Sequence, residues 1–154
     1  MDAMEESIVA IEGAIAALYE EAMAAADAYW DHVTSHEKQG TGLGSKSSLE
    51  LSCTKRGNSL QIAWKGIRWY GPASKRVRVR TTIQKDKTGF CYPESALKDI
   101  AKEWEWEMVK ETEMLMQSIR RQNHHLVRAI MSIRNAKSVR RAKEKMEANQ
   151  GNNQ

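Results

Sequence analysis

The chain has 154 residues, 24 Lys and Arg against 20 Asp and Glu, and a hydrophobic share of 41%, enough for one elongated domain with a modest core. It holds no run of about 18 apolar residues, which excludes a membrane-spanning helix. The acidic start "MDAMEES" has neither the basic nor the apolar region of a secretory signal, so a cytoplasmic location without membrane contact is expected.

Met4, Ile8, Ile11, Ile15, Leu18, Ala22, Ala25 and Tyr29 recur in alternating steps of four and three, a heptad seam that predicts a helix over 3–38 in need of a partner helix. Asp2 with Glu5 offers a capping box, and Gly40, Gly42 and Gly44 end the helix in a loop. The period then becomes two. Leu49, Leu51 and Cys53 alternate with Ser48, Glu50, Ser52 and Thr54 in a first strand, "KRGN" at 55–58 is a turn, and Leu60, Ile62 and Trp64 form the inner face of a second strand. Gly66 puts Ile67 and Trp69 out of phase and predicts a bulge or bend. After the turn "GPASK" at 71–75, Val77, Val79, Thr81 and Ile83 read as the inner face of a third strand. The region 47–85 is thus expected to be a three-stranded antiparallel meander with one wet face.

Pro93 and Glu94 open a second helical pattern, carried by Leu97, Ala101, Trp104, Met108, Leu115, Ile119, Leu126, Ile130 and Ile133, that predicts one helix over 93–146. Residues 148–154, with the end of "EANQGNNQ", have the composition of a flexible tail beyond a single domain at 1–147. The fold class is therefore α+β: a long N-terminal helix, the meander and a very long C-terminal helix, the two helices packed antiparallel as a coiled-coil-like hairpin. Pairing residue 36 with 94 would place Lys110 near Glu20, and Arg120 and Arg121 near Glu12, Glu6 and Glu5. The C-terminal helix would then overhang beyond about residue 127. The seam can be satisfied within one chain or between two, and the unequal helix lengths favour a homodimer.

Charge is segregated along the chain. Residues 1–39 carry one base against nine acids, 40–87 eleven against two, 88–116 three against seven, and 117–154 nine against two. Each basic block therefore meets an acidic neighbour in the fold or an acidic partner outside it. Arg76, Arg78 and Arg80 alternate with apolar residues and project from one strand face about 7 Å apart, comparable to successive phosphates. Lys65, Arg68 and Lys75 could widen the patch, with Gln61 and Gln84 as hydrogen-bonding groups, and a two-stranded ribbon of this kind suits the DNA major groove. The bland alternative is a solvated face whose arginines guard a sheet edge. Arg128, Arg134, Lys137, Arg140 and Arg141 form a second basic block, read either as phosphate contacts or as a solvated helix.

Cys53 and Cys91 have no metal-binding spacing and read as unpaired thiols. His32 and His36 lack the glutamate of a zincin motif, and His124 and His125 point to different sides of a helix, so no metal or other cofactor is expected. No nucleotide loop, nucleophile elbow or nicking tyrosine is apparent, and the chain does not read as an enzyme.

The segments "LQIAWKGIRWYGPASKRVRVRTTIQK", "GFCYPESAL" and "IRRQNHHLVRAI" resemble the MobI-like conjugative transfer proteins of integrative elements and plasmids, over roughly residues 47–134. The resemblance implies an auxiliary factor that acts on double-stranded DNA at the origin of transfer beside a separate relaxase. The alternative is a mobile-element adaptor or inhibitor whose cationic surfaces bind another protein.

Overall fold

A computed structural model of the protein describes residues 1–153. Helix α1 (Ala3–Gln39) leads through a 3-10 turn at Leu43–Ser45 into strands β1 (Leu49–Arg56), β2 (Ser59–Tyr70) and β3 (Val77–Thr82), followed by helices α2 (Glu94–Ile100) and α3 (Glu103–Asn152). The sheet is antiparallel in the order β1-β2-β3, so the expected α+β architecture is the observed one. With 37 and 50 residues, α1 and α3 are about 55 and 75 Å long. No helix of the described residues is long and apolar enough to cross a membrane.

Asp2 caps α1 by accepting the Glu5 N–H at 2.9 Å. Of the predicted seam, Ile15, Leu18, Ala22 and Tyr29 are buried, joined by Ala26. The hairpin joining β1 to β2 is a two-residue turn in which Gly57 supplies a φ of +60°, a backbone conformation that glycine adopts without steric cost. The second glycine of consequence is Gly66. The ladder runs in register through it, from Leu49 on one side to Thr81 on the other, so the expected bulge is replaced by close approach. A Cβ there would stand 2.4 Å from Thr81 Oγ1 and 3.6 Å from Ile100 Cδ1.

Helix α1 packs on β1 and α3 on β2, covering Leu49, Leu51, Cys53, Leu60, Ile62 and Trp64. Strand β3 lies beyond this cover. Val77 and Val79, expected inside, are 58% and 39% exposed. Cys53 is buried and Cys91 half-buried, both as free thiols.

The single helix expected at 93–146 is two helices. Ala101 and Lys102 take extended backbone, and α3 restarts at Glu103 with Glu105 as the third residue of its first turn. This fully buried carboxylate accepts the Lys102 N–H at 2.9 Å, the Ser48 N–H at 3.0 Å and the Ser47 hydroxyl at 2.5 Å. The helix is broken because a carboxylate three residues into its first turn is shared with the start of β1. Helix α3 then continues to Asn152, through most of the expected tail, whose residue 154 lies outside the described residues.

The break also shifts the helix pairing by about ten residues from expectation. His36 stacks on Trp104 at 3.7 Å instead of facing residue 94. Lys110 reaches Glu94 at 3.8 Å, not Glu20. Arg120 is buried on Glu113, while the α1 carboxylates Glu5 and Asp2 meet Lys137 at 3.2 Å and Arg140 at 3.6 Å. The overhang therefore begins near residue 141 rather than 127.

A second polar network ties α3 to the sheet. Arg120 donates to both Glu113 oxygens at 2.9 and 3.0 Å, to the Ile62 carbonyl at 3.0 Å and to the Phe90 carbonyl at 2.8 Å. Glu113 also accepts the Trp64 indole N–H and the Tyr92 backbone N–H, each at 3.0 Å. Trp64 in turn meets Tyr29 edge to face at 5.0 Å.

Removing one partner of a buried ion pair strands the other charge, so Arg120→Met is expected to cost about 3–5 kcal/mol in urea unfolding. Adding Glu113→Gln should restore part of that loss, and simple additivity of the two single effects would contradict the coupling. Burial, then the charge of Glu105, pushes the Tyr29 phenol well above its ordinary value. A raised value in the folded state means stability that is intact below about pH 10, the unfolded phenol's range, and is lost as the pH rises above it. Tyr29→Phe should flatten that alkaline decline in pH-dependent denaturation.

Candidate nucleic-acid interface

Because side chains alternate along each strand, the sheet face turned away from the helices collects Glu50 from β1, Gln61, Lys65, Ile67 and Trp69 from β2, and Arg78 and Arg80 from β3. Register brings these residues together. Glu50 stands opposite Lys65, Ile67 opposite Arg80, and Trp69 opposite Arg78.

Glu50 Oε2 accepts from Arg78 at 2.5 Å and from Arg80 Nε at 3.0 Å. The ion pair reaches from one edge strand to the other across β2, which accounts for Ile67 being only 8% exposed on a face that no helix covers. Burial alone would raise the Glu50 carboxyl, but the hydrogen bonds and charges of the two arginines outweigh it and hold the group below its usual range. Arg78 and Arg80 remain accessible, their side chains 38% and 57% exposed, and Lys65 is exposed beside them. The face thus has three cations against one carboxylate, with two guanidinium groups pre-oriented by that carboxylate. The Trp69 indole N–H on the same face is buried without a protein acceptor.

The other residues proposed from sequence separate into groups. Lys75 and Arg76 lie in the turn before β3, exposed and adjoining the patch, and Gln84 lies beyond the strand's end. Arg68, opposite Val79, projects from the reverse face and cannot widen the Arg78–Arg80 surface. Lys137 and Arg140 are paired with the first turn of α1, and Arg141 lines the same hollow as Asp2, Glu5 and Glu144. Arg128 and Arg134 stand apart from these, along the stretch of α3 that borders the β1–β2 turn. Sequence reasoning missed Glu50 as the partner of the strand arginines. Its position on the same face of an adjacent strand was readable, but which residue it opposed depended on the register. His32 and His36 are packed around Trp104.

A family model described as "MobI protein" matches residues 18–134. No curated protein and no solved structure matches the chain.

Glu50→Gln keeps the shape of the residue that orients the arginines and removes its charge. The variant should retain its secondary structure and elute from a heparin column at higher salt than the wild type, because the face gains one unit of net positive charge. Elution at unchanged or lower salt would mean that this face does not meet polyanions.

Proposed function

The chain belongs to the MobI family and is a mobilization-related protein, and we propose that it is a DNA-binding accessory protein of conjugative transfer, engaging origin-of-transfer duplex and assisting a separate relaxase. In this reading it performs binding and leaves strand cleavage to that partner. The observation that carries it is the uncovered sheet face, where Lys65, Arg78 and Arg80 are exposed and a single carboxylate fixes two of them in place.

Phosphate contacts supply affinity and position a protein on the duplex, while guanidinium groups can also read guanine edges bidentately. A guanidinium already held by Glu50 has less side-chain freedom to lose on binding. Lys75 and Arg76 in the neighbouring turn extend the same positive surface toward the backbone of a bound duplex.

Fluorescence anisotropy against an origin duplex and a scrambled duplex of equal length, over a salt series, tests the proposal. The wild type should prefer the origin. Arg78→Ala with Arg80→Ala should lower origin affinity by about tenfold or more and reduce the salt slope by about two, one for each phosphate no longer neutralised. Unchanged DNA affinity in that double variant would move the role of the face to a protein partner at the open edge of β3.

A further inference from the structure

We infer that the protein has a second nucleic-acid site, a concave groove along α3 that takes single-stranded DNA. Three hollows of about 210, 390 and 430 Å³ line this part of the molecule. The first lies between the loop after β3 and α3, the second between the β1–β2 turn and α3, and the third along α3 itself. Neighbouring hollows share lining residues. Ser59 and Val127 border the first and second, Met131 the second and third, and His124 the first and third.

The groove's electrostatics are one-sided. Lys85, Arg56, Arg128 and Arg134 line it, and no Asp or Glu lines any of the three hollows. Among the described residues, none of these four cations has a carboxylate partner. The contrast is the hollow at the start of α1, where Asp2, Glu5 and Glu144 face Lys137 and Arg140. Unpaired cations collected in a concavity concentrate positive potential there.

An aromatic platform accompanies the charge. Phe90, the chain's one phenylalanine, borders the first hollow half-buried. Its backbone carbonyl is tied to Arg120, the His124 ring meets its ring at 5.0 Å, and the Arg121 guanidinium lies 5.7 Å from its centroid. The ring is therefore held in place beside a cationic track. Along α3, His124 and Arg128 lie one turn apart and line the third hollow, and Arg134, about 15 Å from His124 along the axis, lines the second.

Positive grooves with aromatic platforms suit single strands, whose splayed bases stack while the backbone follows the charges. A duplex keeps its bases stacked within and presents a convex surface, which fits the flat sheet face better than a groove. The two surfaces are also distant. The β1–β2 turn and the Arg78 end of β2 are ten residues apart along that strand, about 33 Å. Single strand over duplex follows from the groove, whereas DNA over RNA rests on the mobilization reading.

The test is anisotropy with labelled oligothymidine and oligouridine of about 20 nucleotides and a duplex of equal length, near physiological salt. Arg128→Ala with Arg134→Ala should weaken oligothymidine binding by about tenfold and Phe90→Leu by about fivefold, while duplex binding stays within about twofold. Arg78→Ala with Arg80→Ala should do the reverse, so failure of the sheet-face reading and failure of the groove are separately visible. Far-UV circular dichroism checks each fold. Arg128 and Arg134 are exposed, so their variant decides the outcome even if Phe90→Leu is unstable. No oligothymidine binding by the wild type, unchanged binding in the arginine variant, or parallel loss on single and double strands would overturn the groove. Tighter binding of oligouridine would overturn the assignment to DNA.

Discussion

The buried pair of Arg120 and Glu113 is the constraint on which the arrangement of the molecule depends. A 50-residue helix lying on an apolar sheet could slide by a turn at modest cost if only hydrophobic contact held it, because burial is non-directional. The guanidinium cannot slide. Its hydrogen bonds reach β2 at Ile62 and the loop after β3 at Phe90, and its carboxylate partner holds Trp64 and Tyr92. Such a pair contributes little net stability, since desolvation offsets most of the attraction, but every displaced register leaves a charge buried without a partner. The network therefore fixes where α3 meets the sheet, and with it the groove beside residues 120–135.

At the other end of the sheet interface, Glu105 sets a second fixed point by binding Ser47 and Ser48 at the start of β1. Both networks use a carboxylate of α3 to satisfy donors from the β region. Between them the helix face includes Val109, Thr112, Met116 and Ile119, all buried. The helix is thus positioned by polar groups at two points and stabilised by apolar packing between them.

This positioning decides which charges are consumed and which remain. The acidic first turn of α1 meets Lys137 and Arg140, far along α3, so those two cations are taken up within the fold. Glu50 partly neutralises and orients Arg78 and Arg80. Arg56, Lys85, Arg128 and Arg134 come from three separate parts of the chain and line three neighbouring hollows that no acid lines. The alternation of charge blocks along the sequence becomes, in three dimensions, a partly balanced sheet face and an unbalanced groove.

Periodicity and turn chemistry by themselves determined the elements: the heptad seam around Ile15 and Leu18, the alternation around Leu51 and Ile62, the cap at Asp2 and the turn at Gly57. These follow from local physics, the helical repeat, the strand pleat and the φ that a residue tolerates. Arg78 and Arg80 were legible as a shared face for the same reason. Register was not. Only the tertiary structure decided that Arg120 is buried, that Glu50 serves the strand arginines, that α3 restarts at Glu103, and that Arg134 lines a hollow with the distant turn at 57–58. Each of those depends on a partner distant in sequence, and a charged residue on a helix looks the same to local pattern whether it will face water or a buried carboxylate.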